Sequence, residues 1–305
     1  MINRTLRRNI RRSLMLAAGL MVPVVGMMAS AYAIGVEPRR VDFNKRNMLL
    51  PRLKPGFDGY RIIQISDIHF DSWIAAKTTL PQIVERINAL EPDLIVITGD
   101  YVSTVPHDED VEHLRKNFAN LQAKDGVLAI MGNHDHWHDV EKLRVMLREA
   151  GVIELRNEVF KIKRGDDTLH IAGIEDHLQG LSDIDLVSEE LTGEECVVLL
   201  AHEPDVADIS APTGNFDLQL SGHSHGGQIY FPFKGAMWLP AQGQKYPTGH
   251  YQLGNMQLYT NRGLGTTLLP IRFNCPPEVS IFTLRSPNIA SATPYPVQTT
   301  VKAAV

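Results

Sequence analysis

The chain has 305 residues, 44% of them hydrophobic, and a formal net charge of −5. That is enough apolar material for a large core and too little polarity for general disorder. Residues 1–33 carry five arginines and no acid, which leaves −10 for the remainder; an acidic body excludes broad nucleic-acid binding, which needs a basic surface, and suits divalent cations.

Residues 1–36 read as an address or an anchor. Ser13 to Val36 contains no charged residue and follows Arg4, Arg7, Arg8, Arg11 and Arg12. One reading is a cleaved export signal, with small residues at Ala31-Tyr32-Ala33. Arg11-Arg12-Ser13-Leu14-Met15 also has the pattern of a twin-arginine signal. The other reading is a retained single span, since about 20 apolar residues cross the hydrocarbon core. Pro23 and the arginines argue against a buried soluble helix. The flanking positive charges nearly balance, so orientation is weakly set; a body outside the membrane is preferred. Both readings place the protein at or beyond a membrane. The periplasmic or extracytoplasmic side is favoured over the cytoplasmic face of the inner membrane.

Residues 37–58, with Pro38, Pro51 and Pro55, read as a linker or lead-in strand. The body spans 59–285. Arg61 to Ile65 is a strand, and Thr78 to Leu90 a helix with Pro81 in its first turn and Ile83, Val84, Ile87 and Leu90 on one face. Leu94 to Ile97 is a buried strand. Asp108 to Leu121 is a helix with early acids and late bases, matched to its dipole. Val127 to Met131 is a strand, and Asp139 to Ala150 a helix ended by Gly151. Val159–Lys163 and Thr168–Ile174 form a hairpin around Arg164-Gly165-Asp166-Asp167. Val197–Ala201 and Leu218–Leu220 are further buried strands. This alternation predicts a layered α/β body. Residues 286–305, rich in Pro, Ser, Thr and Ala, read as a loose tail.

Metal-binding side chains follow five of these strands: Asp67 and His69; Gly99-Asp100; Gly132-Asn133-His134-Asp135; His202; and Gly222-His223-Ser224-His225. Loops at strand carboxyl ends are where α/β proteins bind ligands. Each match alone is weak; the ordered set at strand ends is not a chance pattern.

This ordered set resembles the calcineurin-like metallophosphoesterase superfamily, with all five family motifs present over residues 60–285. The resemblance implies a four-layer α-β-β-α sandwich of two mixed sheets flanked by helices. It implies two divalent metal ions (Mn, Fe or Zn). Asp67, His69 and His225 would hold one; Asn133, His202 and His223 the other; Asp100 would bridge them. A metal-bound hydroxide would cut a phosphodiester or pyrophosphate bond, with two cations about 3.5–4 Å apart clamping the reacting oxygens. His134 would be general acid or transition-state stabiliser, with Asp135 orienting it. The start of the chain resembles the bacterial membrane-associated or exported branch that includes UDP-2,3-diacylglucosamine hydrolases of lipid A synthesis and general phosphodiesterases. A phosphate-ester substrate of amphiphilic character is therefore expected, with a membrane as partner and no nucleic acid. The competing readings are a membrane-tethered metal-binding scaffold without turnover and a general phosphatase or nuclease.

His136 and His138 read as outer support or surface, and His107, His113, His170, His177 and His250 as ordinary residues. The run Gly226 to Phe233, leading to Met237-Trp238-Leu239-Pro240, reads as either a core strand or an apolar lip beside the site. Arg262 and Arg272 read as structural or surface arginines rather than phosphate ligands. Cys196 and Cys275 have no zinc or disulfide spacing and read as free thiols, one of them buried, with no thiolate near the site.

Overall fold

The computed structural model describes residues 23–72 and 76–287. The first part of the uncharged N-terminal run, the twin-arginine pattern and the tail beyond residue 287 lie outside the described residues. Among the described residues no helix is long and apolar enough to cross a membrane.

Helix α1 covers residues 23–35. The elements that follow are β1 (Asp42–Leu49), β2 (Arg61–Ile65), α2 (Ala76–Asn88), β3 (Leu94–Thr98), α3 (Asp108–Ala119), β4 (Val127–Ile130), α4 (Asn133–His136), α5 (Val140–Glu149) and β5 (Ile153–Glu154). The second half contains β6 (Glu158–Arg164), β7 (Asp167–Gly173), α6 (Ile184–Glu189), β8 (Cys196–Leu200), α7 (Ala207–Ser210), β9 (Leu218–Ser221), β10 (Tyr230–Phe231), β11 (Gly235–Ala236), β12 (Gly249–Leu253), β13 (Met256–Thr260) and β14 (Glu278–Arg285).

Two six-stranded mixed sheets result, in the orders β1-β14-β2-β3-β4-β5 and β12-β13-β9-β8-β7-β6, with β10 and β11 forming a separate ribbon. The sheets pack face to face. Ile62, Leu94, Val96 and Leu128 of the first meet Leu169, Ile171, Val198 and Leu220 of the second in one buried cluster. The alternate residues Ile63, Ile95, Ile97 and Ala129 face outward and are covered by α2, α3 and α5 through Ile83, Phe118 and Leu147. On the far side Val197, Leu199 and Leu258 are covered by Val187 and Ala207 of α6 and α7. Strands buried on both faces read as continuous apolar runs, which is why the central strands were visible in sequence. The four-layer sandwich is therefore the observed fold.

Helix ends obey local chemistry. Asp139 caps α5 by accepting the Lys142 amide at 3.2 Å. The helix closes before Gly151, whose φ of +76° suits a left-handed C-terminal stop. One expectation needs correction: Pro81 lies inside α2, not in its first turn. The helix starts two residues earlier, which adds Ala76 to the buried cluster that Leu80 joins and offsets the backbone bond proline cannot make. Within the segment expected as linker or lead-in strand, β1 runs parallel to β14 at the edge of the first sheet.

Candidate metal centre

The loops after β2, β3 and β4 in one sheet, and after β8 and β9 in the other, converge on one buried cleft. His69, Asp67 and His225 form one cluster whose ligand atoms lie within 4.8 Å of one another; Asp100, His202 and His223 form a second. Asp100 stands between them. Its Oδ2 lies 3.2 Å from His202 Nε2 and 3.5 Å from His69 Nε2. His69 Nε2 in turn lies 3.1 Å from His225 Nε2. Asn133 joins the second cluster, its Oδ1 being 2.9 Å from His223 Nδ1. The structure thus brings together all seven side chains expected as ligands.

The backbone that delivers them is under local strain. Asp67, His69, Asp100, His223 and His225 all have positive φ, between 42° and 68°. The left-handed region costs a non-glycine residue about 1–3 kcal/mol, and such residues persist where the surroundings over-determine them. Asp, Asn and His tolerate it better than branched residues. The cleft is also too tight for side chains at two glycines. A Cβ at Gly132 would overlap the Asp100 carboxylate, and one at Gly222 would overlap Ser66 and Asp67.

Each imidazole is aimed by the nitrogen it turns away from the cleft. His202 Nδ1 donates to the Thr98 carbonyl at 2.6 Å, leaving Nε2 toward Asp100. His223 Nε2 donates to the Ala241 carbonyl at 2.8 Å, leaving Nδ1 toward Asn133. His69 Nδ1 lies 2.8 Å from Ser103 Oγ, with Nε2 inward. Partners of this kind fix ring orientation and tautomer at metal sites.

His134 sits at the edge of the cleft, half-buried. Its backbone amide donates to Asp100 Oδ1 at 2.9 Å, and its ring packs at 4.9 Å from His69 and 4.4 Å from Trp137. Its Nδ1 donates to the Ser103 carbonyl at 3.2 Å. Asp135 does not orient it, contrary to expectation. The Asp135 carboxylate instead accepts the backbone amides of Asp100, Tyr101 and Gly132, at 2.8, 2.8 and 2.9 Å, and so ties the β3 and β4 loops together.

The electrostatics suit cations. Burial pushes His69 down to about 3 and His223 to about 4, so both are neutral near pH 7. Burial raises Asp67 to about 6. Burial opposes charge on His202 and Asp100 as well, yet each holds the other ionised: His202 is raised well above, and Asp100 lowered well below, its ordinary range. Asp67 Oδ2 is buried and has no hydrogen-bond partner, and His202 Nε2 has only the Asp100 carboxylate beside it, at 3.2 Å. A buried carboxylate oxygen left unpaired beside imidazole nitrogens is what a divalent cation would satisfy. The residues present therefore fit a pair of such ions.

Other residues fall outside the cleft. His136 pairs with Glu175 at 3.1 Å, and His138 Nε2 lies 3.2 Å from the Ser103 carbonyl. His107, His113, His170, His177 and His250 belong to none of the ligand clusters among the described residues. Arg262 pairs with Glu278 and Asp42, and fully buried Arg272 donates to the carbonyls of Gly263, Gly265 and Cys275, so both are structural. Both cysteines are buried, where one was expected. Cys275 is close to the site in space, with Sγ 3.1 Å from the His225 carbonyl, but burial keeps it a neutral thiol. Ser103, which contacts both His69 and His134, was not anticipated; nothing in its local sequence marks it.

A cleft of Asp, Asn and His between two stacked sheets, shared through one aspartate, defines a dinuclear-type hydrolase site. Residues 60–227 match the Calcineurin-like phosphoesterase family, and the chain belongs to it. Members use a dinuclear divalent-metal centre to hydrolyse phosphate esters, and this chain carries Asp/His clusters able to hold one. It is 36% identical to the metallophosphoesterase YkuE of Bacillus subtilis strain 168, covering 90% of this chain and 94% of that one. It is 28% identical to the phosphodiesterase YaeI of Escherichia coli K12, over 74% of this chain and 82% of that one. A Bos taurus protein named as a transmembrane protein with a metallophosphoesterase domain is 27% identical over 93% of this chain; the match spans 65% of the cattle protein.

Proposed function

We propose that the chain hydrolyses a phosphodiester or pyrophosphate bond in a lipid-linked substrate at a membrane, of the class of UDP-2,3-diacylglucosamine in lipid A synthesis. The observation that carries the chemistry is Asp100 Oδ2, positioned between His202 Nε2 at 3.2 Å and His69 Nε2 at 3.5 Å. Asp67, His69 and His225 would hold one cation, Asn133, His202 and His223 the other, with Asp100 shared. When bound, such a pair supplies Lewis acidity, neutralising the phosphate and lowering the pKa of water at the site.

The chain's own residues do the rest. Thr98, Ala241 and Ser103 orient the ligating rings. Asn133 contributes a neutral oxygen, which limits negative charge where an anionic substrate must enter. His134 keeps its Nδ1 proton on the Ser103 carbonyl, so Nε2 is the atom that carries a second proton to the departing oxygen. The enclosed cleft excludes bulk water from these groups and strengthens each electrostatic contact.

Two features support a membrane and an amphiphilic substrate. The run Ser13 to Val36 is uncharged, and the cattle relative is named as a transmembrane protein. The Gly226–Pro240 segment carries Phe231, Phe233, Met237 and Trp238 exposed rather than in the core. The test is a substrate screen with the Mn- or Zn-loaded chain. Lipid-linked diesters and pyrophosphates should be turned over in preference to soluble diesters; efficient turnover of soluble diesters with no turnover of amphiphilic ones would refute the substrate assignment.

A further inference from the structure

The apolar lip and the N-terminal helix are tied to the same segment. The Arg272 amide donates to the Ala33 carbonyl at the end of α1 at 3.0 Å, and the Cys275 amide to Glu37 just beyond it at 2.6 Å. Between these anchor points, Phe273 pairs with the lip itself: its amide donates to Gln228 and its carbonyl accepts from Tyr230. Helix α1 exposes Val24, Val25, Met27 and Met28. The lip exposes Phe231, Phe233, Met237 and Trp238 on one loop and Leu268 and Leu269 on the other, with Leu268 81% exposed. Single exposed apolar residues are ordinary; six large ones on two loops, four of which (Met237, Trp238, Leu268 and Leu269) line one cavity, are not.

Charge separates this region from the rest of an acidic body. Between Asp217 and Glu278 the sequence contains no Asp or Glu; of its four basic residues Lys245 pairs with Asp208, Arg262 pairs with Glu278 and Asp42, and Arg272 is buried, which leaves Lys234 as the basic residue of the face. Lys234 lies at the tip, next to fully exposed Phe233. Large apolar side chains with a basic residue among them, in a segment that itself carries no carboxylate, match the acyl–headgroup boundary of an anionic bilayer. A cavity of about 200 Å³ opens between the two loops, bounded by Trp238, Leu268 and the candidate ligand His225. Both loops lie beyond the family-matched residues 60–227.

We propose that this lip is a membrane-docking face, laid onto the lipid surface from which the uncharged N-terminal run leads into the body. The partner is a bilayer surface. Docking holds the mouth of the metal cleft at headgroup depth. The consequence that the scissile phosphate sits at that depth rests on the function proposed above; docking itself does not.

The test uses the full chain in phosphatidylethanolamine–phosphatidylglycerol vesicles, with Trp73→Phe and Trp137→Phe leaving Trp238 as the sole indole. Lipids brominated near the headgroup end of the acyl chain should quench Trp238, and aqueous iodide should lose access to it. Adding Phe233→Ser and Leu268→Ser should abolish the bromine quenching and restore iodide access. Both positions are exposed, so near-ultraviolet circular dichroism should remain unchanged. A Trp238 that iodide still reaches in vesicles, with no bromine quenching, would overturn the proposal. So would a blue shift that grows with protein concentration in the absence of lipid, which would give the face to a second copy. The readout is independent of turnover, so a failed substrate screen and a failed docking test are distinguishable.

Discussion

The Asp135 carboxylate accepts the backbone amide of Asp100 at 2.8 Å, so the residue that would bridge two cations is held by a carboxylate that is not itself one of the clustered ligands. The same group accepts the amides of Tyr101 and Gly132, all buried. Asp135→Ala strands three buried donors, each costing about 1–3 kcal/mol when left unpaired. Urea unfolding should show a loss of about 3 kcal/mol or more, with reduced metal content by elemental analysis. An unchanged midpoint and full metal loading would show that the loop holds itself.

Asp100→Asn keeps the size and removes the shared charge. Loss of an outer partner of a ligand typically costs about 10–100-fold in affinity or activity, so loss of the bridging ligand should cost about 100-fold or more. Activity on a chromogenic phosphodiester and metal stoichiometry should fall together. Turnover at the wild-type rate would favour a non-catalytic background.

His134→Ala should separate binding from chemistry. The seven residues expected as ligands remain, so metal content should match wild type. Turnover should fall about 10²- to 10⁴-fold, the usual range for a general acid. The loss should be larger for an alkyl leaving group, which needs a proton, than for p-nitrophenolate. Equal losses for both would remove the proton-donor role and leave electrostatic stabilisation.

Metal binding should release protons in a pH-dependent number. In the metal-free chain burial raises Asp67 to about 6, so below that pH it is protonated and must lose a proton to ligate. His202 is held protonated beside Asp100 well above the ordinary histidine range and must lose a proton at neutral pH too. His69 and His223, lowered to about 3 and about 4, are neutral throughout and release none. Between pH 6.5 and pH 5, below the value of about 7 at which metal-bound water loses its proton, calorimetry in buffers of different ionisation enthalpy should therefore show proton release rising as pH falls through about 6. Apparent affinity should fall more steeply below pH 6. A proton count that is the same at both pH values would contradict this electrostatic account.

The strands that carry the cleft were legible because burial on both faces writes an uninterrupted apolar run, as in Leu94–Ile97, and Asp or His interrupts it where the chain leaves the sheet. What escaped was non-local. β1 pairs with β14 between Asp42 and Glu278, and no local pattern announces such a partner. Ser103 holds His69 from a different loop. Asp135 was misread because it follows His134 in sequence. In the helical turn Asn133–His136 adjacent side chains point in different directions, so Asp135 turns back to the Gly132 amide that begins its own turn. Sequence neighbours reveal which residue types gather; the backbone decides which of them touch.

The most direct measurement is anomalous scattering at the manganese edge from crystals of the Mn-loaded chain. Two peaks about 3.5–4 Å apart, one on each side of Asp100 Oδ2, are expected. One peak alone, or two too far apart to share Asp100, would contradict the account.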